Sequence, residues 1–251
     1  MKFPKKPIHP ALLPADTPET AARLLIQAKG GAFVATLNLE ILSRAAKDPH
    51  FQRLLRQADY RICDGIGAKW LLQCGYPHTR VPRIAGIDLG SAVLSAAAEE
   101  GRSVFLLGGR PGVAHKAACR LKAVYHQLHL AGCAHGYFSP SHLPLLRDRI
   151  IASKASILIV CLGSPRQENW ILQNRAHLPS VRLFLPLGGS LDVWAGDLSR
   201  APILWQKMGA EWLWRILQEP CRILRLAGSC TVFWDLPRKN SPKCMNLFQI
   251  E

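Results

Sequence analysis

Residues 157–170 read Ile157-Leu158-Ile159-Val160-Cys161-Leu162-Gly163-Ser164-Pro165-Arg166-Gln167-Glu168-Asn169-Trp170. An unbroken run of β-branched and aliphatic residues has no solvent face, which is how a strand of a buried parallel sheet reads. Gly163 stops the run. Ser164 then stands at an N-cap position, with Pro165 at the first helical position and Glu168 in the first turn, so the pattern predicts a helix start. The segment is therefore a strand feeding a helix through a tight turn. That turn carries Arg166 and Gln167 at the carboxyl end of the sheet, where open α/β folds bind ligands. A helix start offers N–H groups and partial positive charge, and Arg166 adds a full one, so the turn suits an anion. Taken alone, it is equally compatible with an ordinary strand–helix turn carrying a solvated arginine.

The same design recurs on both sides of this stretch. Towards the C-terminus, Arg182–Pro186 reads as a strand delivering Leu187-Gly188-Gly189-Ser190-Leu191-Asp192. Towards the N-terminus, Val104–Leu107 reads as a strand ending in Gly108-Gly109, with Pro111-Gly112-Val113 opening a helix to about Gln127. A short strand and turn follow near Gly132–Phe138, then a helix over about His142–Ser153. Pro165–Ala176 is the helix after the central strand. Earlier still, Thr17-Pro18-Glu19 opens a helix that ends near Gly30-Gly31, and Ala32–Thr36 reads as a strand. Thr36 and Asn38 differ by two positions and so share a face if the strand persists. Leu39–Gln57 has helical spacing, and the strand Tyr60–Cys63 runs into Asp64-Gly65-Ile66-Gly67. Arg80, Arg83 and Gly86-Ile87-Asp88 read as a loop before a helix through Glu100. Strand–glycine–helix units spaced by roughly 25–50 residues imply a parallel sheet with right-handed crossovers. The expected fold class is α/β, a Rossmann-like core over residues 17–198. Residues 1–16, with four prolines, are expected to form an irregular arm, and 199–251 a C-terminal appendage, helical to about 226 and flexible beyond.

The glycines of Asp64-Gly65-Ile66-Gly67 are followed by Trp70 where a dinucleotide fingerprint has its third glycine, which argues against NAD. Asp64 reads either as a turn or cap residue or as a functional carboxylate at the sheet edge. The net charge is +15 with a sequence pI near 9.9, a balance that suits polyanions: nucleic acid, an anionic membrane or phosphorylated substrates. Apolar residues make up 49 % of the chain, enough for a proper core. The eight cysteines form no Cys-x-x-Cys pair, which reads as free thiols in a reducing compartment and argues against a zinc site. No run approaches the ~20 apolar residues of a spanning helix. The basic start, Met1-Lys2-Phe3-Pro4, lacks a following apolar core, so secretion is not expected.

In the tail, Trp205, Trp212, Trp214 and Leu213 lie among charged residues on an expected helix that opens at Ser199-Arg200-Ala201-Pro202 and is interrupted by Pro220. Arg215 and Arg222 are two turns apart and Arg225 three residues further, close to one face if helix resumes after the proline. Interleaved Trp and Arg suit a lipid headgroup interface, while a core-packing helix with solvated arginines fits nearly as well. Two rival classes are weaker. A nucleotide- or nucleic-acid-binding module fits the charge but lacks an aromatic RNA-binding signature or a basic recognition helix. A cysteine hydrolase would need its nucleophile at an exposed glycine-flanked turn, and no cysteine stands at one.

Taken together, these segments resemble the WecG/TagA/CpsF glycosyltransferases, glycosyltransferase family 26. The matching pieces are Thr36-Leu37-Asn38-Leu39-Glu40, Asp64-Gly65-Ile66-Gly67, Arg83-Ile84-Ala85-Gly86-Ile87-Asp88, Phe105-Leu106-Leu107-Gly108-Gly109 and Gly136-Tyr137-Phe138. They continue with Leu162-Gly163-Ser164-Pro165-Arg166-Gln167-Glu168, Gly188-Gly189-Ser190-Leu191-Asp192-Val193-Trp194-Ala195-Gly196, Arg200-Ala201-Pro202 and Glu211-Trp212-Leu213-Trp214-Arg215. The resemblance runs from about 20 to 226 in the family's order. It departs at the start, where the family has an extra strand and this chain has its proline-rich arm.

The resemblance implies an inverting, metal-independent transferase. It would move a sugar from a UDP-sugar to a polyprenyl-diphosphate-linked saccharide at the inner membrane face, and donors in the family include UDP-N-acetylmannosamine, its uronic acid and UDP-glucose. The sequence agrees on the metal: no Asp-x-Asp is present to grip a metal–diphosphate, so helix starts and arginines are left to neutralise the leaving UDP. Asp64 matches the family's proposed base, with Thr36 beside it. Asn38, Arg83, Gln167, Gly108, Gly109, Gly188, Gly189 and Asp192 match substrate-binding positions. Arg215, Arg222 and Arg225 would grip the lipid diphosphate. The implied setting is cytoplasmic and peripheral on the anionic inner membrane surface, with no nucleic-acid partner, no cofactor, and a shift between homo-oligomer and active monomer.

Overall fold

The computed structural model describes residues 12–75 and 78–220. The chain begins with α1 (Pro18–Ile26), whose Ala21, Ala22, Leu25 and Ile26 are buried, and continues into β1 (Ala32–Leu37), buried at every position. The expected helix over 39–57 is two helices, α2 (Leu39–Lys47) and α3 (Pro49–Arg56). Pro49 cannot donate into the preceding turn, and Asp48 between them accepts from the N–H groups of His50 and Phe51 at 2.9 and 3.2 Å, capping the second helix as the first ends. Next come β2 (Tyr60–Cys63), α4 (Ile66–Gly75) and α5 (Gly86–Glu99). Gly86-Ile87-Asp88 is thus the first turn of a helix rather than a loop.

The central strand is β5 (Ile157–Cys161), every residue of it buried. Before it come β3 (Ser103–Gly108), α6 (Val113–Val124), β4 (His129–Ala134) and α7 (Leu143–Ala152). After it come α8 (Arg166–Asn174), β6 (Leu183–Pro186) and α9 (Ser190–Trp194). Ser164 is not the cap of α8. Pro165 occupies that position without a side-chain cap, the Ser164–Pro165 peptide is cis, and the Ser164 hydroxyl is buried without a hydrogen-bond partner. The tail forms two short helices, α10 (Ile203–Lys207) and α11 (Glu211–Gln218). They are broken at Gly209, whose φ of +73° ends a helix and suits glycine. The expected continuation to 226 lies outside the described residues, as do 1–11.

The six strands form one parallel sheet in the order β2-β1-β6-β5-β3-β4. Register is continuous across its middle: Leu106 pairs with Ile159, and Ile159 with Leu185. Phe33, Phe105, Phe184, Leu106 and Leu107 are among the largest fully buried side chains. Burial of each such side chain contributes roughly 1.5–3 kcal/mol. Among the described residues no helix is long and apolar enough to cross a membrane.

By contacts the chain sorts into two compact units. One unites residues 12–17, 36–85 and 200–220 of the described chain, and so contains the end of β1, β2, α2 to α4 and the tail helices. The other unites 18–35 and 86–199, and so contains α1, α5 to α9 and β3 to β6. In this second unit the chain leaves β3 through α6 for β4 on one side, and leaves neighbouring β5 through α8 for β6 on the other. Right-handed crossovers then put α6 and α8 on opposite faces. In keeping with this, α6 packs on β3, β4 and α9, whereas α8 packs on β5 and β6. The point between β3 and β5 is where the connections diverge, and divergence opens a crevice at the strands' carboxyl ends.

Candidate active site

In the first unit, four of the sequence-predicted residues gather at the ends of β1 and β2. The Asp64 N–H donates to the Leu37 carbonyl at 2.7 Å, setting Asp64 level with the stretch Thr36-Leu37-Asn38. Thr36 is buried, 7 % exposed, within the strand, and Asp64 is half-buried. Asn38 caps α2: its Oδ1 accepts from the Ile41 N–H at 2.9 Å. Arg83 forms a backbone bridge with Cys63, and the Ile84 N–H donates to the Cys63 carbonyl at 2.9 Å. The arginine is thereby fixed beside the residue that precedes Asp64.

The Cys63 thiol reports on this environment. Its pKa is pushed up to about 12, first by burial and then by the Asp64 charge, with Lys69 and Arg83 opposing. Cys63 therefore stays protonated at neutral pH and is no nucleophile. Cys161 behaves alike, pushed up to about 12 chiefly by burial. Both thiols are free, and neither supports a cysteine hydrolase.

The tail helices meet the same unit. The Arg83 guanidinium donates through Nη2 to the Gln206 carbonyl of α10 at 3.2 Å and pairs through Nη1 with Glu211 of α11 at 3.8 Å. Glu211 also pairs with Arg200 at 3.6 Å. Gly209, at the bend between the helices, lies against Ile66, the first residue of α4. Trp205 and Trp214 stack edge to face, 5.6 Å between centroids. Their packing leaves Ile203, Leu204, Met208, Trp212 and Leu217 exposed, Ile203 by 70 %. Arg215 is half-buried on α11, and Arg222 and Arg225 lie outside the described residues.

In the second unit, the switch point between β3 and β5 is lined by the loops expected to meet a ligand. Gly108 has φ +138° and stands so close to Cys161 that a Cβ there would lie 2.2 Å from the Cys161 carbonyl oxygen. The Gly109 N–H donates to that same oxygen at 3.2 Å. Arg166 is exposed and donates to the Gly136 carbonyl at 3.3 Å, bridging the turn after β5 to the turn after β4. Gln167, expected to face the ligand, is instead 2 % exposed. Its Oε1 accepts from the Gly188 N–H at 3.1 Å and its Nε2 donates to Glu168 at 3.0 Å, so it braces the Gly188-Gly189 loop from beneath. Asp192, half-buried in the first turn of α9, is among the charges that act on the Cys161 thiol.

Beyond the end of β4 lies a cleft of about 440 Å³, a size ordinary for a small-molecule site. His115, His135, His142, Arg149, Tyr137 and Phe138 are among its lining residues, and no carboxylate is. Sequence reasoning singled out Gly136-Tyr137-Phe138 but not the cleft, whose histidines come from separate stretches. It missed the pairing of Glu211 with Arg83 and Arg200 too. Among the described residues no cluster of three or more His, Cys, Asp or Glu side chains could hold a metal ion. Residues 9–241 match the family model described as Glycosyl transferase WecG/TagA/CpsF family.

Proposed function

As the chain belongs to the WecG/TagA/CpsF family of glycosyltransferases, we propose that it is an inverting, metal-independent transferase. Its donor is a UDP-sugar of N-acetylmannosamine, N-acetylmannosaminuronic acid or glucose type. Its acceptor is a polyprenyl-diphosphate-linked saccharide in the making of a cell-surface polysaccharide. The observation that carries the reading is the half-buried Asp64 carboxylate at the carboxyl end of β2, level with Thr36 and Asn38 and one residue beyond the Cys63–Arg83 bridge.

In this mechanism an acceptor hydroxyl donates to Asp64 while its oxygen attacks the anomeric carbon from the side opposite the diphosphate. A new C–O bond forms as the bond to the β-phosphate oxygen breaks. The proton ends on Asp64 and the electron pair leaves with UDP, so one centre inverts. A sugar hydroxyl is far less acidic than a carboxylic acid, so proton and bond must move together, and such assistance is worth roughly 10²–10⁴-fold. Thr36 and the Asn38 NH2 orient the reacting hydroxyls. Arg83 offsets charge on the leaving diphosphate. Gln167 acts through the Gly188 loop that it holds, and Asp192 follows that loop in α9. In the tail Arg215, Arg222 and Arg225 meet the lipid diphosphate, and the apolar side chains of α10 and α11 meet the bilayer surface.

The test is release of UDP from a panel of UDP-sugars offered with a prenyl-diphosphate-linked acceptor, in buffer containing a chelator. Turnover with one or more donors supports the reading. No release with any donor, or activity only on addition of a divalent ion, overturns it.

A further inference from the structure

The cleft beyond β4 is built largely from a stretch of sequence with one sign of charge. Residues 101–147 contain no Asp or Glu, while they carry six Lys or Arg residues and five histidines. The stretch includes all of β3, α6 and β4, so no carboxylate on these elements offsets a cation at the cleft. Asp148 precedes Arg149 on α7 but is not among the residues that line the cleft. Four separate places supply the polar lining. His115 comes from the first turn of α6, His135 from just past β4, His142 from the turn Pro140–His142, and Arg149 from the last turn of α7.

Two of these groups are held in place. Arg149 donates through Nη2 to the Cys133 carbonyl of β4 at 3.2 Å, and among the described residues it forms no ion pair. A guanidinium has five N–H donors, so the rest of the fork stays available. The His135 ring accepts from the Tyr137 N–H at Nδ1, 3.2 Å away. A nitrogen that accepts carries no proton, so this hydrogen bond assigns the proton to Nε2 and makes that nitrogen a donor. Phe138, Leu145 and Leu146 line the same cleft and supply apolar surface. Its volume of about 440 Å³ is far more than a bare carboxylate or phosphate fills, and suits a ring that carries one.

We propose that this cleft is a binding site for an anionic saccharide, a sugar acid or a sugar phosphate. An anion is the complement of a guanidinium and imidazole donors with no carboxylate among them. Arg149 and the His135 Nε2–H take the anionic group, and the apolar lining takes the C–H face of the ring. The saccharide class rests on membership of a glycosyltransferase family and on nothing finer. None of the residues assigned above to the transfer lines the cleft.

The experiment is calorimetric titration of the full chain with glucuronate, glucose 6-phosphate, glucose and inorganic phosphate. One or both anionic sugars should bind at least about tenfold more tightly than glucose and inorganic phosphate, because ring and anion each contribute. The tighter of the two tells carboxylate from phosphate. Arg149→Gln should weaken that binding about tenfold, and Arg149→Lys should recover only part of it, since an ammonium lacks the fork. Urea unfolding of each variant shows whether the fold is kept. His135→Ala, expected to weaken binding about threefold or more, gives the second reading should Arg149→Gln unfold. UDP at saturation should leave the titration unchanged. No binding of either anionic sugar, or glucose or phosphate binding as tightly, overturns the site. Undiminished binding by a folded Arg149→Gln chain, or by His135→Ala in its place, overturns it as well. So does displacement by UDP, since the cleft would then belong to a nucleotide. A chain that binds an anionic sugar through Arg149 but transfers none refutes the transferase reading alone, which keeps the two failures apart.

Discussion

Replacing Gly108 by alanine tests the geometry on which the ligand crevice is built. Its φ is +138°, and a Cβ would stand 2.2 Å from the oxygen, 2.5 Å from the carbonyl carbon and 2.8 Å from the Cα of Cys161. These are backbone atoms of the neighbouring strand, with which Gly108 is in register, so no rotamer change relieves the contact. The strained backbone alone costs roughly 1–3 kcal/mol. Forcing the strands apart at a fully packed position adds about 1–3 kcal/mol. The sum, about 2–6 kcal/mol, is a large part of the ~5–15 kcal/mol that holds a domain folded. Gly101 supplies the control. Its φ is +63°, but a Cβ there meets nothing within 4 Å, so alanine costs only the left-handed conformation, about 1–2 kcal/mol. Urea unfolding followed by circular dichroism should rank the wild type above Gly101→Ala and Gly101→Ala well above Gly108→Ala. A Gly108→Ala protein as stable as the Gly101→Ala protein would refute the close approach of β3 to β5.

Three further outcomes follow from the same geometry. Gln167→Ala strips the Gly188 N–H of its acceptor and should lower stability by about 1–3 kcal/mol, so its activity must be read beside its unfolding curve; an unchanged curve would contradict the brace. Cys63 and Cys161, with pKa values pushed up to about 12, should resist iodoacetamide at pH 8 in the folded chain while the exposed Cys74 and Cys119 are alkylated, as peptide mass spectrometry would show. Their raised pKa values favour the protonated fold, so this stabilisation is complete below the unfolded thiol value of about 8.5 and is lost as pH climbs towards 12. Cys161→Ala should accordingly flatten the alkaline fall in stability, and an unaltered slope would speak against the burial. Finally, Ile203→Glu with Leu204→Glu places two charges on exposed apolar positions of α10 and should weaken flotation with anionic liposomes about tenfold at unchanged stability; undiminished flotation would remove α10 from the membrane surface.

The sheet was legible because parallel strands buried on both faces leave short apolar runs, and because a glycine stops most of them. The central strand at 157–161 and the parallel α/β class follow from that alone. Boundaries failed where two local signals competed. Helical spacing across 39–57 masked the Asp48-Pro49 cap and start, although both residue types were in view. Ser164 has the chemistry of a cap, yet α8 begins after Pro165 and the hydroxyl is buried without a partner. The direction of Gln167 was beyond reach for a different reason. Spacing along α8 cannot say that a glutamine and a glutamate lie on the buried face, because that depends on the Gly188 N–H, supplied 21 residues away. The grouping of Thr36, Asn38 and Asp64 was visible, since neighbouring parallel strands end together. The hold of α10 on Arg83 joins residues 123 apart and has no local signature.

In the proposed transfer one carboxylate, Asp64, takes the proton. Measuring turnover and UDP affinity side by side for Asp64→Asn tests it most directly. Turnover is expected to fall by about 10²–10⁴-fold while the Kd for UDP and the unfolding midpoint stay where they are. An Asp64→Asn enzyme that still transfers sugar at the wild-type rate would contradict it.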